Sequence, residues 1–119
     1  MQSANDIQIG GEHYKARRYQ HWDFVCDTGL HYLLGCFTKY VSRWRDKNGK
    51  QDLEKSLHYL RKAEERHVLP PKLTDEIVKY TELFASQHNE PEARAIRLVM
   101  MNDYVGAADI VRAILRGEV

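Results

Sequence analysis

A chain of 119 residues with a formal net charge of +1, 43% hydrophobic and 29% charged residues and a mean hydropathy of −0.62 has material for one domain with a modest core. No apolar run approaches the roughly 18 residues that a membrane span requires, and the polar start, Met1 to Asp6, lacks the basic-then-apolar order of a secretory signal. The cytoplasm is therefore the expected location, and Cys26 and Cys36, ten apart and in no CxxC motif, are expected as reduced, partly buried thiols.

Residues 1–20 carry no helical period. Gly10-Gly11 interrupts any element, and His13, Tyr14 and Lys15 followed by Arg17, Arg18 and Tyr19 mix rings with cations in an expected ordered loop. From His21 to about Thr28, Trp22, Val25 and Cys26 fall at helical spacing, and Gly29 closes the helix. From Tyr32 to about Arg45 the repeat of Leu33, Leu34, Phe37, Tyr40, Val41 and Trp44 at three and four predicts an amphipathic helix, with Lys39 and Arg43 one turn apart on its other side. Asn48-Gly49 supplies a tight turn. A third helix, about Gln51 to His67, puts Leu53, Leu57, Leu60 and Ala63 on one face, and Asp52 near its start suits the helix dipole.

Pro70-Pro71 marks a boundary, since neither residue belongs inside a helix. Beyond it Thr74 reads as an N-cap, with Ile77, Tyr80, Thr81 and Phe84 as the stripe of a helix to about His88. Asn89 and Glu92 resemble a capping pair for a fifth helix to about Met101, with Pro91 tolerated in its first turn. A last helix, about Tyr104 to Arg116, presents Val105, Ala108, Ile110, Val111, Ile114 and Leu115 before Gly117. The expected fold is all-α, five to six helices around a central helix-turn-helix hairpin. Residues 1–69 form its core with an N-terminal arm, and 72–119 form a helical extension that packs on the core or mediates oligomerisation.

Charge is unevenly placed. Residues 10–72 hold thirteen Lys or Arg against eight Asp or Glu, and residues 73–119 hold five against eight. A basic front suggests an anionic ligand, or complementarity between subunits of a homo-oligomer. Clustered cations and a helix N-terminus both bind phosphate, and they coincide where Lys39 and Arg43 approach the turn Lys47-Asn48-Gly49-Lys50. Charged helix ends also serve solubility alone. There is no GxxxxGK[ST] loop, and neither a closed metal-ligand set nor a catalytic triad emerges. His13, Tyr14, Tyr19 and Trp22 offer faces for stacking a base, with Trp22 alternatively a core residue. A helix-turn-helix also suggests a DNA reader, but Glu54, Glu64 and Glu65 in its second helix and the near-neutral chain argue against one.

The segments GGEHYK at 10–15, QHWDF at 20–24 and KYVSRWRDKNGKQDLEKSLHYL at 39–60 resemble a small bacteriophage family, most of it catalogued as a domain of unknown function and similar to part of the nucleotide kinase of the T-odd coliphages. The pattern falls on His13, Tyr14, Lys15, Lys39, Tyr40, Arg43, Lys47, Gly49, Lys50, Asp52, Leu53, Lys55, Tyr59 and Leu60. The resemblance implies nucleotide handling in the cytoplasm of a bacterial host. His13 and Tyr14 would meet the base or ribose, Lys15, Lys39, Arg43 and Lys50 the phosphate oxygens, and Asp52 would orient a lysine or a metal-bound water. Kinase-like transfer would require Mg2+ with ATP. The alternative is a non-catalytic sponge for a nucleotide second messenger of anti-phage defence.

Overall fold

The computed structural model describes residues 19–119, so the arm with His13, Tyr14 and Lys15 lies outside the described residues. Within them the chain is all-α. Its helices are α1 His21–Thr28, α2 Tyr32–Arg43, α3 Lys50–Glu65, α4 Asp75–Ala85, α5 Glu90–Met100 and α6 Tyr104–Leu115. None of the helices described is long and apolar enough to cross a membrane.

Local chemistry accounts for most boundaries. Gly29 closes α1 at φ 64°, with the Leu30 N–H on the Val25 carbonyl, and Thr74 starts α4 by accepting from the Ile77 N–H at 3.2 Å, both as their sequence positions predict. Two further caps come from His31, which accepts from the Leu33 N–H, and Asp103, which accepts from the Gly106 N–H. The expected continuation of α3 to His67 ends earlier, because His67 turns left-handed at φ 56° and lets the Val68 N–H reach the Ala63 carbonyl. Asn102, at φ 65°, closes α5 in the same way. The capping pair expected at Asn89 and Glu92 does not form: Asn89 makes no side-chain cap bond, and the Glu92 carboxylate turns inward to stronger donors, Arg45 Nε at 2.6 Å and Trp44 Nε1 at 3.2 Å.

Packing joins the two halves of the chain. α2 lies along α3 and α5 along α6, while α1 meets α4, α2 meets α5 and α3 meets α6. Phe24, Leu34, Phe37, Leu53 and Leu60 from the first three helices share one core with Phe84, Ile96, Val99 and Val111 from the last three. Each such side chain contributes roughly 1.5–3 kcal/mol by leaving water. The face of α1 differs from its expected one: Phe24 and Thr28 are buried, while Trp22 is 49% exposed and Cys26 is exposed with a free thiol. Phe24 wins the inward position because it stacks flat on Phe84, with ring centroids 4.7 Å apart at 9°. Val105, expected on the stripe of α6, is also outside, and Tyr104 takes its place in the core.

Candidate functional site

The α2–α3 hairpin is locked from within by Asp52. Its side chain is fully buried and lies 3.4 Å from Arg43 Nε, and the Asn48 backbone N–H and side-chain amide each donate to it at 3.4 Å. A carboxylate without water needs such partners, because an unpaired buried charge costs several kcal/mol. The residues that supply them sit on the far side of a turn whose tightness rests on Gly49, at φ 62° and ψ −140°. Sequence, turn and ion pair are thus one device, and its product is the fixed position of Arg43.

Arg43 in turn lies over the Tyr40 ring, its guanidinium carbon 4.7 Å from the centroid. Lys39 Nζ lies 5.6 Å and Lys55 Nζ 5.5 Å from the same centroid. Tyr40 stacks on Tyr59 at 5.7 Å and 17°, and Tyr32 meets Tyr59 edge-on at 6.2 Å. Spacing explains the assembly: residues 32, 36, 39/40 and 43 make one stripe of α2, residues 52, 55 and 59 make one stripe of α3, and the hairpin lays the stripes together. Tyr32 is 70% exposed, and hydrogen bonding to the Cys36 thiol and the Tyr59 hydroxyl pushes its phenol up to about 12. The face is therefore a rack of rings edged by cations.

Magnitudes say what such a rack lacks. Sharing one ring, the three cations lie no more than about 11 Å apart. Unit charges ~10 Å apart repel by roughly 1.7 kcal/mol at an effective ε of ~20, against ~0.5–1 kcal/mol gained by an exposed cation over a ring. Asp52 offsets one charge. An anion placed across Lys39, Arg43 and Lys55 would relieve the rest, less so at high salt.

The other sequence-predicted site residues lie elsewhere. Lys50 is exposed in the first turn of α3. Trp22 stands on the outer side of α1. Tyr19 is held against α4: its ring stacks on Tyr80, its hydroxyl donates to Asp27 at 2.6 Å, and its backbone N–H and carbonyl pair with the Gln87 amide. Burial, with Asp27 adding to it, raises the Tyr19 phenol well above the usual tyrosine range. His21, behind Lys39, is packed against Phe24 and Phe84, and its Nε2 is 2.7 Å from Thr38 Oγ1. The Thr38 hydroxyl also lies 3.1 Å from the Gly35 carbonyl. Burial first, then the Lys39 charge, lowers the His21 pKa to about 4. Lys55, Tyr40 and Tyr59, which the family pattern includes without a ligand role, complete the rack. The four-residue step from Lys55 to Tyr59, opposite that from Lys39 to Arg43, is the signal that could have given them one.

Residues 9–61, a little under half of the chain, match a family described as protein of unknown function (DUF3310). Comparison with curated proteins and with solved structures finds no match. The matched stretch takes in α1, α2 and most of α3. The chain is thus similar to that family over the part that builds the Asp52 lock and the cation–tyrosine rack.

Proposed function

We propose that the α2–α3 face binds a nucleotide, with phosphate oxygens across Lys39, Arg43 and Lys55 and the base against the tyrosine rack. The observation that carries this reading is the convergence of three cations on the Tyr40 ring. Arg43 suits the role, because a guanidinium held flat by Tyr40 and Asp52 offers its fork to a phosphate at little entropic cost. Lys50, and His13, Tyr14 and Lys15 from the arm, are proposed to complete the site as the phage-family resemblance implies, in the cytoplasm of an infected bacterium and in a homo-oligomer.

Within this reading, binding without catalysis is better supported than kinase-like transfer. Asp52 is fully buried and engaged by both Arg43 and Asn48, so it does not fit a ligand for Mg2+. A sponge for a nucleotide second messenger needs only the grip. Calorimetric titration with nucleoside mono-, di- and triphosphates tests the site. Lys39→Ala and Lys55→Ala are each expected to weaken binding by roughly 10–100-fold, the loss of a charge-assisted hydrogen bond, with an unchanged melting temperature. Equal affinity in wild type and both variants would remove the rack from consideration. Ligand recovered unchanged after heat release fits a sponge, and diphosphate formed from monophosphate with ATP and Mg2+ fits a kinase. Preference for duplex DNA, weakening steeply with salt, fits the DNA reader instead.

A further inference from the structure

α3 and α6 run antiparallel, the Tyr104 hydroxyl at the start of α6 donating at 2.7 Å to the Val68 carbonyl just past the end of α3. Between the two helices lies an open groove of about 510 Å3. Its floor is apolar, with Leu60 and Ala108 buried and Leu57 half-buried. Its walls are charged: Glu54, Arg61 and Glu64 come from α3 and Arg112 from α6, and all four are exposed. A small-molecule site encloses most of its ligand between apolar walls with a few fixed polar groups, and here no polar wall residue is buried. The stretch from Glu54 to Glu64 is ten residues, about 15 Å of helix. A straight, open-sided groove of that length is a seat for another helix.

Charge decides which helix. Glu54, His58 and Arg61 make no side-chain hydrogen bond or ion pair among the described residues, and Arg112 has Asp109 at 3.5 Å. Glu54 and Arg61 are seven residues apart on one stripe of α3, about 10.5 Å along its axis, with Leu57 and His58 midway. A two-fold axis through that midpoint, with the helices antiparallel, sets Glu54 of each copy against Arg61 of the other. One spacing thus gives two reciprocal pairs, as a self-complementary interface requires. The cation–tyrosine rack has no such option, because its gathered cations repel a copy of themselves. On α6, Val105 is 67% exposed; three residues before Ala108 and seven before Arg112, it carries the apolar strip along the same helical face. We propose that the α3–α6 groove is the interface of a two-fold symmetric dimer, α3 of each copy seated in the groove of the other so that the two α3–α6 pairs form a four-helix bundle. The proposal rests on the homo-oligomer of the reading above, whose contact surface it names, and needs no nucleotide.

Sedimentation velocity of the full chain is expected to show a monomer–dimer equilibrium at micromolar concentration. Glu54→Arg and Arg61→Glu each set two like-charge pairs across the axis and should raise the dissociation constant by at least roughly tenfold. Both positions are exposed, so circular dichroism should show unchanged helical content in either variant. Mixing the two variants in equal amounts is the sharper measurement. A dimer of one with the other carries opposite charges at both contacts, so the mixture should associate as the wild type does although neither variant does alone. A folding defect, or the loss of some unrelated contact, is not repaired by mixing. Wild-type protein that stays monomeric would overturn this interface together with the homo-oligomer. An oligomer that both substitutions leave intact, or a mixture no more associated than its parts, would overturn this interface alone. None of these outcomes touches the nucleotide grip, which calorimetry reads separately.

Discussion

At the scale of the residue, Asp52 and His21 are two ionisable groups that the fold takes out of water. Asp52 is met there by Arg43 and Asn48. Asp52→Asn should therefore lower the unfolding free energy by roughly 3 kcal/mol, the low end for a broken buried pair, since Arg43 retains 19% exposure and can rehydrate. Urea denaturation measures this, and a loss below about 1 kcal/mol would mean that the hairpin is held by something other than the ion pair. His21 stays neutral. Its folded pKa, about 4, lies below the ordinary imidazole value of 6.5, so between these limits the unfolded chain binds more protons and stability falls as the pH falls. The loss is at most about 3 kcal/mol, complete only below the folded pKa. Melting curves at pH 7 and near pH 4.5 should separate for the wild type, and less so for His21→Gln. Neither burial was legible in the sequence. Asp52 reads there as a dipole partner at a helix start, and only the chain reversal that brings back Arg43, nine positions earlier, makes its burial affordable.

At the scale of the element, the two glycine turns look alike in sequence and differ in conformation. Gly29 has φ 64° and ψ 33°, the left-handed helical well, whereas Gly49 has φ 62° and ψ −140°, near a region that only glycine populates freely. A Cβ meets nothing within 4 Å at either position, so backbone energy alone separates them. Gly29→Asn is expected to cost less than about 1 kcal/mol, because asparagine is tolerated at such caps, and Gly49→Asn roughly 1–3 kcal/mol. Thermal unfolding of the two variants compares them, and equal losses would refute the distinction. Helices with strong stripes and glycine or Thr caps were legible to within a few residues. The caps by His31 and Asp103 and the left-handed closures at His67 and Asn102 were not, since each depends on where the next helix leads the chain. The Asn89–Glu92 pair misled for a related reason: a local cap contributes about 1 kcal/mol, and a carboxylate that can reach Arg45 and Trp44 gains more from them.

At the scale of the whole molecule, the all-α class followed from period alone, but the choice of inward face on α1 did not. Trp22, Val25 and Cys26 satisfy the helical period as well as Phe24 and Thr28 do, and the decision falls to Phe84, in a helix beyond the Pro70-Pro71 boundary. The cation–tyrosine rack was legible in part for the opposite reason, since it is built by neighbours across one short turn. That contrast between near and distant contacts has a consequence in time. Closing a loop costs entropy that grows with its length, so the hairpins α2–α3 and α5–α6 can form early, while the Phe24–Phe84 stack must wait for the intervening chain to be arranged. Phe24→Leu is then expected to speed unfolding and leave the folding rate within about twofold, whereas Leu53→Ala, inside the hairpin, slows folding. Stopped-flow chevrons would distinguish the two, and a folding limb slowed by Phe24→Leu would reverse the proposed order. Of the six helices described, α1 leaves the ribosome first and would be the last to find its place, and its contact with α4 would set how long the finished molecule stays closed.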